Sequence, residues 1–159
     1  MDAELLNIFI KAALNVIETM AFTKATAGKP RLKVDKITHG EVTGVIGLAN
    51  TELRGSMVLS FDSSTIIAIV NSMLGSSYKE VNNDVVDAVG ELTNMICGAS
   101  KKGLSEYKSI SLDFTIPTTI VGKNMEINFQ SSVPVIEIPF NTDFGRFVIG
   151  ITFGKEVKK

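Results

Sequence analysis

Glu91 and Asn94 stand three residues apart in a stretch, residues 84–102, whose apolar spacing is helical. Three residues is close to one turn, so a carboxylate and an amide project side by side, about 5–6 Å apart. The carboxylate accepts hydrogen bonds and attracts a cation; the amide donates and accepts without ionising. The stretch must hold both groups outward. Val85, Val89, Leu92, Ile96 and Ala99 fall at intervals of 4, 3, 4 and 3, which predicts one narrow core-facing stripe. Asp87, Glu91, Asn94, Gly98 and Lys101 repeat that alternation on the opposite side and are expected to face solvent. Gly90, Gly98 and Cys97 are expected on or near the outer side, which keeps that surface low. A mid-helix glycine costs roughly 1 kcal/mol relative to alanine. Two of them off the core stripe point to a surface that something else approaches closely. By themselves, a glutamate and an asparagine on such a face are ordinary polar surface.

The string GELTNMICG, residues 90–98, changes that reading. It resembles the E-x-x-N helix of the CheC/CheX/FliY family of chemotaxis phosphatases. Asp87, four residues before Glu91, matches an acidic or serine position often found there. The string NVIETMAF, residues 15–22, resembles the N-terminal helix of the CheX branch. The likeness runs from the first helix to the last strand.

The resemblance implies hydrolysis of the aspartyl phosphate on a CheY-type response regulator. An acyl phosphate is already reactive, so catalysis chiefly requires a water held in line with phosphorus and the leaving carboxylate. Asn94 is the residue the resemblance assigns to that water. Glu91 cannot usefully face phosphoryl oxygens of like charge, but it can pair with a lysine beside them, which response regulators supply. No cofactor of the chain's own is expected, and Mg2+ would be supplied by the regulator. Asp87, Gly90, Met95, Gly98 and Lys101 are the expected partner-binding positions around the pair. The resemblance also implies a homodimer through the β-sheet. Runs 126–130 and 133–138 carry few charges and are read as an edge that invites such pairing.

Composition fits this reading. The chain has 159 residues, 45% of them hydrophobic, which suits one compact domain spanning residues 1–159. A net charge of −1 gives no electrostatic case for nucleic acid or an anionic membrane. The single Cys97 excludes an internal disulfide, and with His39 the only histidine a Cys/His zinc site is not expected. No apolar run approaches the ~20 residues of a membrane span. Glu4, Lys11 and Glu18 interrupt the first apolar segment, so it does not read as a signal peptide, and a cytoplasmic protein is expected.

The fold class expected is α/β of the α+β type, with long helices over one face of a largely antiparallel sheet. Residues 2–22 read as a first helix with Leu5, Phe9, Ala12, Val16 and Met20 buried. Residues 23–30 read as a connection. Strands are expected at 31–37, 41–49 and 53–61, then a short helix introduced by Asp62 and ended by Gly75. Asn83 or Asp84 is the expected cap of the long helix. After Gly103, strands are expected at 109–115, 118–121, 126–130, 133–140 and 144–153, short, at an edge or entered at Pro117, Pro134 and Pro139. A faint internal duplication is visible. Residues 53–61 parallel 144–153, and Glu18-Thr19-Met20-Ala21 parallels Glu91-Leu92-Thr93-Asn94 with alanine in place of the amide.

Other candidates have bland readings. Cys97 lacks a histidine partner and is expected to be inert, His39 to be structural, and Met20, Met57 and Met73 to fill core. No phosphate-binding loop has the required strand and helix context. Two other functions stay open: a non-catalytic module that binds a regulator or serves in a flagellar switch, and a small-ligand sensor. Asn94 separates them from the phosphatase, since nothing structural requires it.

Overall fold

The computed structural model describes residues 3–128 and 133–155. Three helices, α1 (Ala3–Ala21), α2 (Ser63–Leu74) and α3 (Asn83–Lys108), pack on an antiparallel sheet. The strands are β1 (Ala25–Ala27), β2 (Arg31–Leu32), β3 (Val42–Ala49), β4 (Leu53–Phe61), β5 (Asp113–Phe114), β6 (Thr118–Val121), β7 (Ile136–Thr142) and β8 (Gly145–Lys155). Their order is β1-β7-β8-β4-β3-β5, with β2 also beside β7 and β6 also beside β3. The α+β class expected from the sequence is therefore the class observed.

The internal duplication has a structural counterpart. The two similar strands, β4 and β8, are central neighbours, with Leu59 opposite Ile149 and Phe61 opposite Phe147. Phe140, Phe147 and Phe61 form an aromatic rung, with ring centroids 4.7 and 5.2 Å apart. The two long helices run antiparallel. Ile8 lies against Gly103, and Ala12 shares a groove with Ala99, so numbers rise on α1 as they fall on α3.

Several sequence expectations shift. Residues 25–27 form β1 against β7 instead of continuing a loop. Of residues 31–37, only the first two pair as β2. The chain then leaves the sheet edge because Lys33 is drawn onto Glu137. Lys33 Nζ lies 3.2 Å from Glu137 Oε2 and 3.0 Å from Asp35 Oδ1, and donates to the Ile37 carbonyl at 2.7 Å. The Lys33 ammonium beside Asp35, with the Ile37 amide, holds that carboxyl below its usual range. His39 Nε2 stands 2.7 Å from the same Glu137 oxygen, which makes it structural, as expected. Residues 33–40, 122–128 and 133–135 thereby close over the far face of the sheet. Lys33 N donates to Val135 O, Thr38 N to Met125 O and Ile127 N to Lys36 O. This cover is why Val58, Ser60 and Val148 are buried as well as the helix-facing Met57, Leu59 and Ile149.

Run 133–138 is not an edge. Ile136–Ile138 lies within β7, which pairs with β8 on one side and β2 on the other. Of the run 126–130, Glu126 makes an isolated bridge to Ile37, while Phe129 and Gln130 lie outside the described residues. Pro139 stands inside β7, not at its entry. Its missing N–H and its carbonyl face the same neighbour, and there the edge is broken between β1 and β2. Gly28 N reaches the Pro139 carbonyl at 2.7 Å across this break.

Candidate functional site

Helix α3 is capped by Asn82, one residue before the expected cap, and the Asn82 side chain accepts from Val85 N at 3.0 Å. It continues past Gly103 to Lys108, and Ser109 ends it in a left-handed conformation (φ 52°). Its expected stripe is buried at Val85, Val89, Leu92 and Ile96, but Ala99 is exposed. Cys97, Ser100 and Leu104 continue the buried side instead. The buried arc turns around the helix along its length, and Ala99 is left in the open groove beside α1.

Cys97 is therefore a correction. It is fully buried, its Sγ lies 3.7 Å from Met57 Sδ, and burial pushes its thiol up to about 12. A thiol so displaced is inert at neutral pH, as expected, but because it is core and not for want of a partner on the surface. Two other polar residues share the buried side, each satisfied within the helix. Thr93 Oγ1 donates to Val89 O and Ser100 Oγ to Ile96 O, both at 2.7 Å.

The outward side carries Asp87, Glu91, Asn94, Gly98 and Lys101, all exposed. Among the described residues, neither the Glu91 nor the Asn94 side chain has a hydrogen-bond or ion-pair partner. Both are held by the helix alone and are free to engage a second molecule. A Cβ built on Gly98 would meet nothing within 4 Å, so that glycine leaves the surface low. Gly90 does not do so. It is half-buried and turned to the flank, where its Cβ would lie 3.5 Å from Thr119 Oγ1 of β6. Met95 is half-buried and packs against the core. Lys101 places its ammonium over the Phe114 ring, 5.6 Å from the centroid, and so leans toward β5.

The parallel position on α1 differs in more than its missing amide. Glu18 is exposed like Glu91, but Ala21 is fully buried and its carbonyl accepts from Ser72 Oγ at 2.6 Å. An asparagine there would enter the α1–α2 contact. The outward carboxylate–amide pair of this register is confined to α3.

Sequence reading missed what lies under the pair. Thr93, between Glu91 and Asn94, points at Gly44 of β3. A glycine within a β-branched strand was the available signal.

Comparison with known proteins places the chain in a family. The fold is shared with a CheC-like superfamily protein from Shewanella sp. PV-4 (TM-score 0.89, 37% identity, 96% of this chain and 99% of that one). The family model for the chemotaxis phosphatase CheX matches residues 42–141, and the chain belongs to that family. The CheY-P phosphatase CheX of Thermotoga maritima is 30% identical over 143 residues, 89% of each chain. The solved CheX–CheY–BeF3–Mg+2 complex from Borrelia burgdorferi matches with a TM-score of 0.79 and 25% identity, over 94% of this chain and 97% of that one. No helix among the described residues is long and apolar enough to cross a membrane.

Proposed function

We propose that this chain hydrolyses the aspartyl phosphate of a CheY-type response regulator. Water attacks phosphorus, the P–O bond to the aspartyl carboxylate breaks, and the products are free carboxylate and inorganic phosphate. Asn94 holds the attacking water, accepting one of its protons in a hydrogen bond and donating from its own NH2 group. Glu91, one turn earlier, pairs with the lysine beside the phosphoryl group and fixes where Asn94 sits. Asp87, Gly98 and Lys101 border the contact, with Gly90 and Met95 supporting it from the flank. Magnesium belongs to the regulator; the related Borrelia complex that contains Mg+2 also contains CheY.

The observation that carries this reading is the exposure of Glu91 and Asn94 on a helix whose other side is seated in the core. An asparagine in mid-helix has no structural work there.

The reading includes a homodimer joined through the sheet, with α3 left open. Apolar side chains are exposed near both sheet edges: Leu32 and Val34 on one side, Ile116 and Val121 on the other. Two such edges paired about a two-fold axis satisfy both rows of backbone groups.

The test is to mix the purified protein with a phosphorylated CheY-type regulator and follow loss of the phosphoryl group. Accelerated loss supports the phosphatase. Tight binding without acceleration would replace it with a regulator-binding or flagellar-switch module.

A further inference from the structure

The Glu91–Asn94 turn rests on one rung of the sheet. Gly44 of β3 stands in register between Thr119 of β6 on one side and Leu59 of β4 on the other. A Cβ on Gly44 would lie 2.1 Å from Thr93 Oγ1, 3.2 Å from Thr93 Cβ and 3.3 Å from Val89 Cγ1. The helix therefore touches the strand backbone at the two residues that flank Gly90 and Glu91. On the flank, Thr119 Oγ1 stands 3.5 Å from where a Gly90 Cβ would be. The cross-strand pair Gly44–Thr119 thus forms a saddle for Val89, Gly90 and Thr93.

Thr93 is fully buried, and its hydroxyl is committed to Val89 O at 2.7 Å. A branched side chain in a helix has few rotamers to escape into. Any group added at Gly44 must push α3 away from the sheet or break that bond. Heavy atoms in contact sit about 3.5 Å apart, so an added methyl 2.1 Å from Thr93 Oγ1 calls for a shift of more than about 1 Å. A misplacement of that size can cost about 10²-fold in rate.

We propose that Gly44 and Thr93 are positioning residues, which set the height and rotation of Glu91 and Asn94 against the docked regulator. This rests on the phosphatase reading above. Neither residue touches the regulator. Their fit determines whether Asn94 reaches the water.

The experiment uses the full chain and two readouts. One is turnover of phosphorylated regulator, with affinity for its beryllofluoride form measured separately. The other is the reaction rate of Cys97, the chain's one cysteine, with a thiol reagent. Cys97 lies one turn beyond Thr93 on the buried side, so it reports the seating of α3 without reference to activity. In Gly44→Ala, turnover is expected to fall ten-fold or more, affinity to change less, and Cys97 to react faster. Gly44→Ala/Thr93→Ala relieves the closest clash and is expected to recover both readouts in large part. Thr93→Ala alone adds no clash, so it serves if Gly44→Ala does not fold; it should lower turnover more than affinity. A folded Gly44→Ala with near-normal turnover and a protected Cys97 overturns the proposal. So does a Thr93→Ala protein that matches wild type in both readouts. If wild type neither binds nor dephosphorylates the regulator, the functional reading fails, and the Cys97 rates still decide whether Gly44 seats the helix.

Discussion

Cys97 Sγ lies 3.7 Å from Met57 Sδ, joining α3 to the central strand β4 inside the core. The burial of that thiol gives the chain an alkaline limit. A thiol in water ionises near 9.0, whereas burial raises this one to about 12. Below pH 9 both folded and unfolded chains keep the proton, and the stability contribution is intact. Between about 9 and 12 the unfolded chain loses it while the folded chain holds it, so rising pH favours unfolding. The melting temperature of wild type should fall more steeply above pH 9 than that of Cys97→Ser, which does not ionise there. Parallel curves would mean that the thiol titrates as in water.

Asn94→Ala is expected to remove most phosphatase activity, by about 10²-fold or more, and to leave the fold unchanged. The side chain is exposed and without a partner among the described residues, so its removal takes away no core contact. Turnover and the melting curve are measured on the same preparation. Wild-type turnover would reject the role given to the amide.

Glu91→Ala is expected to act on docking. Losing one partner of a desolvated charge pair costs roughly 2–5 kcal/mol of affinity. Titration against a stable phosphoryl-mimic form of the regulator measures it. Unchanged affinity together with lost turnover would move Glu91 from anchoring into the chemistry.

Dimerisation should survive both substitutions. The proposed interface uses the sheet, whereas Glu91 and Asn94 project from α3 on the helical side. Sedimentation across a concentration series tests this. A concentration-independent monomer would reject the dimer, and dissociation caused by either substitution would put the interface on the helix.

Much was legible in the sequence because it depends on local spacing. The intervals among Val85, Val89, Leu92 and Ile96 fix a buried side, and the same periodicity turns Glu91 and Asn94 outward. Residue type alone says that one can anchor a cation and the other orient a water. The strands β3, β4, β6 and β8 were legible from β-branched and aromatic runs for the same reason. What tertiary structure decided are matters of who stands opposite whom. Cys97 and Ala99 exchange their expected places because the buried arc of a 26-residue helix follows its neighbours, which change along its length. Residues 33–37 leave the expected strand because Glu137, about a hundred positions away, collects Lys33 and His39. Ile136 and Glu137 of run 133–138 became interior because β2 covered them. Gly44 and Thr93 meet across 49 residues of chain, and no periodicity within either segment encodes that contact. The helix specifies which residues face outward. The sheet beneath it specifies where in space they stand.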